Sequence, residues 1–250
     1  MNAADPLFEL GRHTLHTLRD ELAHHQIPVA PDLEVRRGTN ALSYYNMQDG
    51  QIYLSTPNPQ AARGKFELLL YRSVTRLESN TQVYRLLELL IPWLIAHEIG
   101  HHLRHRAGRL GADIWHEEYI ANLVAGALIK PRLSAAQKSE LVALLSQALG
   151  NLDTGLNGHH STSSSSPSQS TEPTGPTGPR PRQQAEERPP SGDPLGYIAR
   201  HMRWLSEDLV TPDTPPLARV ARQYLRPQPG QPTIAQSDRN QIEGGEVKPS

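Results

Sequence analysis

Cysteine is absent from this chain of 250 residues. Its absence excludes disulfide bonds, thiolate zinc sites and cysteine nucleophiles, and it leaves histidine and carboxylate side chains as the only strong metal ligands. Histidine itself is plentiful, with 12 residues. Any metal site in this protein must therefore be built from histidine, aspartate and glutamate.

A long hydrophobic run is also lacking. The most apolar stretch, Leu86–Ala96, spans about eleven residues interrupted by Glu88 and Pro92, whereas a membrane-spanning helix needs about 20. The formal net charge is −1. The chain therefore lacks the excess of basic residues that would indicate a nucleic-acid partner. Met1–Leu10 carries neither the basic nor the apolar region of a signal peptide. We therefore expect a soluble, cytoplasmic protein with no direct nucleic-acid or membrane partner.

Apolar periodicity and turn residues predict a mainly helical chain with one short region of strands. A strand at Leu33–Arg36 precedes a hairpin, Ala41–Tyr45 and Gln51–Thr56, whose loop contains Asp-Gly. Pro92 is predicted to begin the next helix or to kink it. The remaining predicted helices are Pro6–His24, Ala61–Glu78, Thr81–Leu90, Trp115–Ile129 and a helix from Ser134 to about Leu149. Ser134 and Gln137 are a candidate capping box at the beginning of the last of these helices. The expected fold class is α+β, with a small antiparallel sheet packed on a mainly helical core.

The composition changes sharply in the last hundred residues. Residues 153–194 are rich in Ser, Thr, Pro and Gly and nearly devoid of apolar side chains, which predicts a disordered linker. Residues 195–226 contain two short apolar stripes at helical spacing, typical of helices that dock on the core or bind a partner. Residues 227–250 again read as a disordered tail. The expected folded domain is therefore 1–152.

One stretch carries most of the chemical information, the His-Glu-x-x-His pattern at His97, Glu98 and His101. Histidines four residues apart lie on one face of a helix, where both can bind one tetrahedral metal. Glu98 lies too far round the helix to be a good ligand, but it can reach a water on that metal. The usual chemistry of this pattern is zinc-dependent peptide hydrolysis, with Glu98 as general base.

The third ligand is expected from the following helix. Glu118 would complete a His₂Glu site, and Asn122, four residues on, lies on the same face and could accept the free ring N–H of a ligating histidine. Zinc is the expected metal, although such a site also accepts Mn²⁺. The alternatives for the third ligand are Glu117, His105, His116 or none.

Other polar residues near the pattern have simpler interpretations. His102 is expected to face solvent or to lie beside the ligands, and Arg104–Arg109 is interpreted as a solvated, basic helix end. Tyr44, Tyr45 and His116 are candidate donors to an oxyanion, and spacing does not choose among them.

Two segments together resemble the ImmA/IrrE family of bacterial metallopeptidases. They are His97–His101 and Glu118–Pro131, in which Glu-Tyr-Ile-Ala-Asn precedes a Leu-x-x-Pro ending. The resemblance covers about residues 1–150. It implies a zincin-like α+β fold, zinc held by His97, His101 and Glu118, Glu98 as base, and cleavage of a protein substrate such as a DNA-bound repressor.

The leading hypothesis is a zinc endopeptidase that cleaves a regulatory protein at a specific site. One alternative is a protein-binding module on a zincin scaffold with little or no turnover. Another is a toxin or antirestriction protein of a mobile element. Glu98 argues against the scaffold, because a purely structural metal site needs no base beside it.

Overall fold

A computed structural model describes residues 5–39, 42–58, 62–111, 113–158, 194–211 and 214–226. None of the helices in these ranges is both long and apolar enough to cross a membrane. The elements in chain order are α1 (Pro6–His24), β1 (Val35–Arg37), β2 (Tyr44–Asn46), β3 (Gln51–Leu54), α2 (Ala62–Thr75), α3 (Asn80–Arg106), α4 (Ile114–Ile129), a 3₁₀ turn (Lys130–Arg132), α5 (Ala135–Gly158), α6 (Pro194–Val210), α7 (Leu217–Val220) and a π-helical turn (Ala221–Leu225). The fold is α+β and mainly helical, as expected.

The strands form one three-stranded sheet in the order β1-β3-β2. The predicted hairpin is present: β2 and β3 are antiparallel, with Tyr45 opposite Ile52, and Gly50 in the connecting turn has a φ of +69°. The prediction of a purely antiparallel sheet was wrong, because β1 pairs with β3 in parallel. Alternation of side chains predicts a strand, but it carries no information about the direction of its partner.

α3 is the central helix and contacts α1, α2, α4, α5 and two strands of the sheet. It begins with a capping box between Ser79 and Gln82 and continues through Pro92, so this proline does not begin a helix. Pro92 removes one backbone hydrogen bond. Ile91 and Trp93 on either side are buried in the core, and their packing favours an uninterrupted helix.

α3 and α4 approach each other unusually closely at Gly100. A Cβ atom on Gly100 would lie 2.9 Å from Cα of Ala121, so a larger residue would push the helices apart. α4 begins at its N-cap Asp113, whose carboxylate accepts hydrogen bonds from the backbone of Trp115 and His116. The close approach of α3 and α4 at Gly100 places the first half of α4 against the His-Glu-x-x-His segment.

The C-terminal part of the described chain packs on this core. The capping box predicted at Ser134 and Gln137 is present, and α5 continues to Gly158, beyond the predicted end near Leu149. α6 packs on α5 and α4. The ring of its Trp204 meets the ring of Trp93 in α3 edge-on, with the ring centroids 6.3 Å apart. Of the predicted linker 153–194, residues 153–158 belong to α5 and Pro194 begins α6, whereas residues 159–193 lie outside the described residues, as does the predicted tail 227–250.

Candidate metal centre

Two histidines of α3 form one side of a buried polar cluster. His97 and His101 lie one helical turn apart, and their Nε2 atoms are 3.1 Å apart. Their side chains are almost completely buried, with 7% and 4% of the residue exposed. The predicted placement of both imidazoles on one helix face is therefore present in the structure.

Glu118 of α4 closes the cluster from the opposite helix. Its Oε2 lies 3.1 Å from His97 Nε2, and its Oε1 lies 3.6 Å from His101 Nε2. One donor atom from each of the three residues lies within 4.8 Å of the other two. This buried His-His-Glu group could hold a metal ion.

The other candidates for the third ligand have different positions. Glu117 turns away and binds Arg104, whose Nε and Nη2 lie 2.5 Å and 2.6 Å from the two carboxylate oxygens. His105 Nδ1 lies 2.8 Å from the Tyr45 hydroxyl, and His116 is exposed. None of these three side chains belongs to the His-His-Glu group.

Asn122 occupies the position that the sequence suggested for it. Its Oδ1 lies 2.9 Å from His97 Nδ1 and accepts the proton of that ring nitrogen. In the neutral imidazole, the Nε2 of His97 then carries the lone pair and directs it at His101 and Glu118. Such a contact orients a ligating histidine and raises its basicity.

Burial and charge perturb all three donors. Burial lowers the pKa of His97, but the adjacent Glu118 carboxylate outweighs burial and raises the pKa to about 9. Burial and the neighbouring His97 lower the pKa of His101 to about 4. Burial raises the pKa of Glu118, but His97 and His101 outweigh it and bring the pKa to about 2. At neutral pH the metal-free cluster therefore carries one positive charge, on a doubly protonated His97, beside a neutral His101 and an ionised Glu118.

This chemistry fits a divalent cation. The Nε2 atoms of His97 and His101 and the carboxylate of Glu118 lie close together, and each can donate an electron pair to a cation. Without a metal, the charge of the carboxylate is balanced by protonation of His97. Glu118 Oε2 is buried without a conventional hydrogen-bond partner among the described residues, and ring nitrogens are its close neighbours. A set of two histidines and one glutamate with room for a further ligand is typical of catalytic zinc.

Glu98 is held by the sheet. Its Oε2 accepts a hydrogen bond of 2.8 Å from the backbone N–H of Tyr45 in β2, and 5% of the residue is exposed. β2 lies at an edge of the sheet. The carboxylate next to His97 is thus anchored between α3 and an edge strand.

The prediction of a solvated helix end at Arg104 was wrong, and His102 does not face solvent. His102 is 1% exposed and accepts a hydrogen bond from Ala30 N at its Nε2, and Arg104 is 4% exposed. Arg104 also donates to the carbonyl oxygens of Arg109 and Tyr224. The basic helix end is covered because the C-terminal segment, distant in sequence, packs against it.

A further histidine reaches the cluster from α6. His201 Nε2 lies 3.5 Å from Glu118 Oε2, and its ring is 5.9 Å from that of His97. Burial lowers the pKa of His201 to about 4, with Glu118 opposing the shift. The sequence does not predict this contact, because an isolated histidine within an amphipathic helix carries no information about which distant helix it meets.

A cavity of about 230 Å³ opens between α4 and α6 beside the cluster. Its walls are mostly aromatic, and the Arg200 guanidinium lies over the Trp115 ring at 4.0 Å. The residues that line it are Trp115, Glu118, Tyr119, Asn122, Arg200, His201 and Trp204. The candidate metal centre therefore adjoins a space large enough for a side chain of a bound molecule.

Comparisons with protein-family profiles, curated proteins and solved structures found no match to this chain. The functional interpretation consequently depends on the residues of the cluster and their geometry.

Proposed function

We propose that the protein is a zinc-dependent endopeptidase with a zincin-like fold, related to the ImmA/IrrE metallopeptidases. The observation that carries the proposal is the convergence of His97, His101 and Glu118 beside an anchored Glu98. A purely structural zinc site usually has four protein ligands, whereas three ligands with an adjacent carboxylate are typical of hydrolysis.

Each residue has a defined task in this proposal. His97, His101 and Glu118 hold the ion, and Asn122 orients His97. A zinc ion in such a site acts as a Lewis acid toward a carbonyl group and increases the acidity of water. Glu98 accepts a proton from the attacking water at a carboxylate oxygen and transfers it to the nitrogen of the leaving amine.

The edge strand supports a protein substrate. β2 pairs with β3 along one side only within the described sheet, so an extended peptide could add to its other side by main-chain hydrogen bonds. Tyr45 joins this strand to Glu98 and would place such a peptide beside the base. The resemblance to ImmA/IrrE proteins suggests a transcriptional repressor as the substrate.

The replacement Glu98→Gln tests this function. We expect it to retain zinc, since Glu98 is not a ligand, and to abolish cleavage. Zinc content is measured by elemental analysis, and cleavage by mass spectrometry of new protein N-termini in cells that express wild type or variant. Glu88→Gln, on the exposed side of α3, is the matched control and should behave as wild type.

The same experiment distinguishes the scaffold hypothesis. A protein-binding module would give identical N-termini in cells expressing wild type and Glu98→Gln, although both proteins bind zinc. A wild type without zinc would contradict both readings of the site.

A further inference from the structure

His201 is the one histidine of α6, and it faces the candidate metal centre. Its Nε2 is buried and has no hydrogen-bond partner among the described residues, although Glu118 Oε2 lies 3.5 Å away. A buried polar nitrogen without a partner is costly, so its position calls for a ligand or a functional role.

The ring of His201 is held in place by its neighbours. Tyr197 packs against it with ring centroids 4.3 Å apart, and Trp115 of α4 lies behind at 6.5 Å. The C-terminal end of α6 is fixed independently, because Lys130 Nζ donates to the carbonyl oxygens of Asp208 and Thr211 at 2.5 Å and 3.0 Å. On the N-terminal side of the histidine, α6 contacts α4 through the rings of Tyr197 and Trp115, whose centroids are 5.9 Å apart.

The position of His201 differs from that of a ligand. His97, His101 and Glu118 offer donor atoms that all lie within 4.8 Å of one another, and His201 is not part of this group. Its Nε2 lies on the Glu118 side, and the residue lines the cavity between α4 and α6. A hydrogen-bond donor at this place can reach a molecule that approaches the ion from the cavity.

We propose that His201 is a catalytic residue, whose Nε2–H donates a hydrogen bond to the oxygen of the scissile carbonyl group. This inference rests on the proposed endopeptidase function. The carbon–nitrogen bond of the peptide breaks and a carbon–oxygen bond to water forms, while Glu98 carries the proton to the leaving nitrogen. His201 keeps its own proton throughout and stabilises the negative charge that develops on the oxygen.

His201 takes the role of oxyanion donor for which the sequence suggested Tyr44, Tyr45 and His116. The Tyr45 hydroxyl is engaged with His105, Tyr44 stacks on Tyr53 at 5.1 Å, and His116 is exposed. The role of His201 also makes α6 part of the catalytic unit, although the sequence separates this helix from the core by a low-complexity segment.

The test uses the full chain loaded with zinc and acetohydroxamate as the probe, because this small molecule binds zinc through two oxygens that resemble the reacting carbonyl. The variants are His201→Ala, His201→Gln and the control His16→Ala, which changes an exposed histidine of α1. Zinc affinity is measured by competition with a chelator, acetohydroxamate affinity by calorimetry, and folding by thermal unfolding.

We expect His201→Ala to keep the zinc affinity of wild type and to bind acetohydroxamate about tenfold more weakly, as for loss of one hydrogen bond to a charged oxygen. His201→Gln retains an N–H donor and should recover part of this loss, and His16→Ala should match wild type.

Three results would overturn the assignment. A tenfold loss of zinc affinity in His201→Ala would make His201 a fourth ligand. Unchanged affinity for acetohydroxamate in a folded His201→Ala protein would leave it a packing residue. Failure of the wild type itself to bind zinc would remove the proposed function together with the role of His201.

Discussion

Two buried polar clusters join α3 to α4, and they differ in where their positive charge comes from. In the first, the Arg104 guanidinium binds both carboxylate oxygens of Glu117, and Gly111 N donates to the same carboxylate. In the second, the described residues that form ion pairs with Glu118 are all histidines, namely His97, His101 and His201. Neighbouring glutamates of one helix thus have opposite roles: one belongs to a complete ion pair, and the other to a group that lacks a permanent cation.

The comparison explains why only one of the two clusters is a candidate for function. A buried carboxylate is tolerated when a partner neutralises it, and Glu117 has such a partner within the protein. Glu118 is neutralised by a proton on His97 or, when zinc is present, by the metal. The predictions that follow change one cluster at a time.

The largest effect is expected from breaking the complete pair. Arg104→Met leaves Glu117 buried without its cation, and we expect a loss of about 3–5 kcal/mol in the free energy of unfolding. Chemical denaturation measures this loss. Arg106→Met, at a half-buried position on the same helix, is the control and should cost far less. A loss below about 1 kcal/mol in Arg104→Met would show that the pair contributes little.

A smaller effect is expected at the edge of the second cluster. Asn122→Ala removes the acceptor that orients His97, and we expect zinc affinity to fall about 10- to 100-fold. Asn122→Asp keeps an acceptor oxygen and should remain close to wild type. Competition with a chelator gives both affinities. Equal affinities of Asn122→Ala and wild type would mean that this hydrogen bond does not prepare His97 for the metal.

Part of this arrangement was predictable from sequence because it depends on local spacing. A spacing of four residues places His97 and His101 on one face of α3. The same spacing places Glu118 and Asn122 on one face of α4. The hairpin with Gly50 and the capping box at Ser134 are equally local, and both are present in the structure.

The contacts that the sequence does not predict join segments far apart in the chain. Arg104 is buried because the segment around Tyr224 covers it, and His201 reaches Glu118 from α6. The parallel pairing of β1 with β3 and the continuity of α3 through Pro92 also depend on packing rather than on local pattern. Periodicity reports which face of a helix is apolar, but not which distant helix covers it.

The last prediction concerns the single proton that His97 must lose when zinc binds. Because the pKa of His97 is raised to about 9 in the metal-free protein, this residue is protonated at pH 7 and must lose its proton to bind zinc. Calorimetry in buffers of different ionisation enthalpy should detect release of about one proton per zinc at pH 7. Apparent affinity should rise about tenfold per pH unit up to about pH 9 and then level off. Absence of proton release at pH 7 would show that His97 is neutral without the metal.

The most direct test of the central claim is the zinc content of two adjacent variants, Glu118→Gln and Glu117→Gln, measured on the folded, monodisperse fraction of each. Wild type and Glu117→Gln should contain about one zinc per chain, and Glu118→Gln should lose most of it, because only Glu118 faces both histidines. Full zinc in Glu118→Gln, or its loss in Glu117→Gln alone, would contradict the assignment of His97, His101 and Glu118 as the metal site.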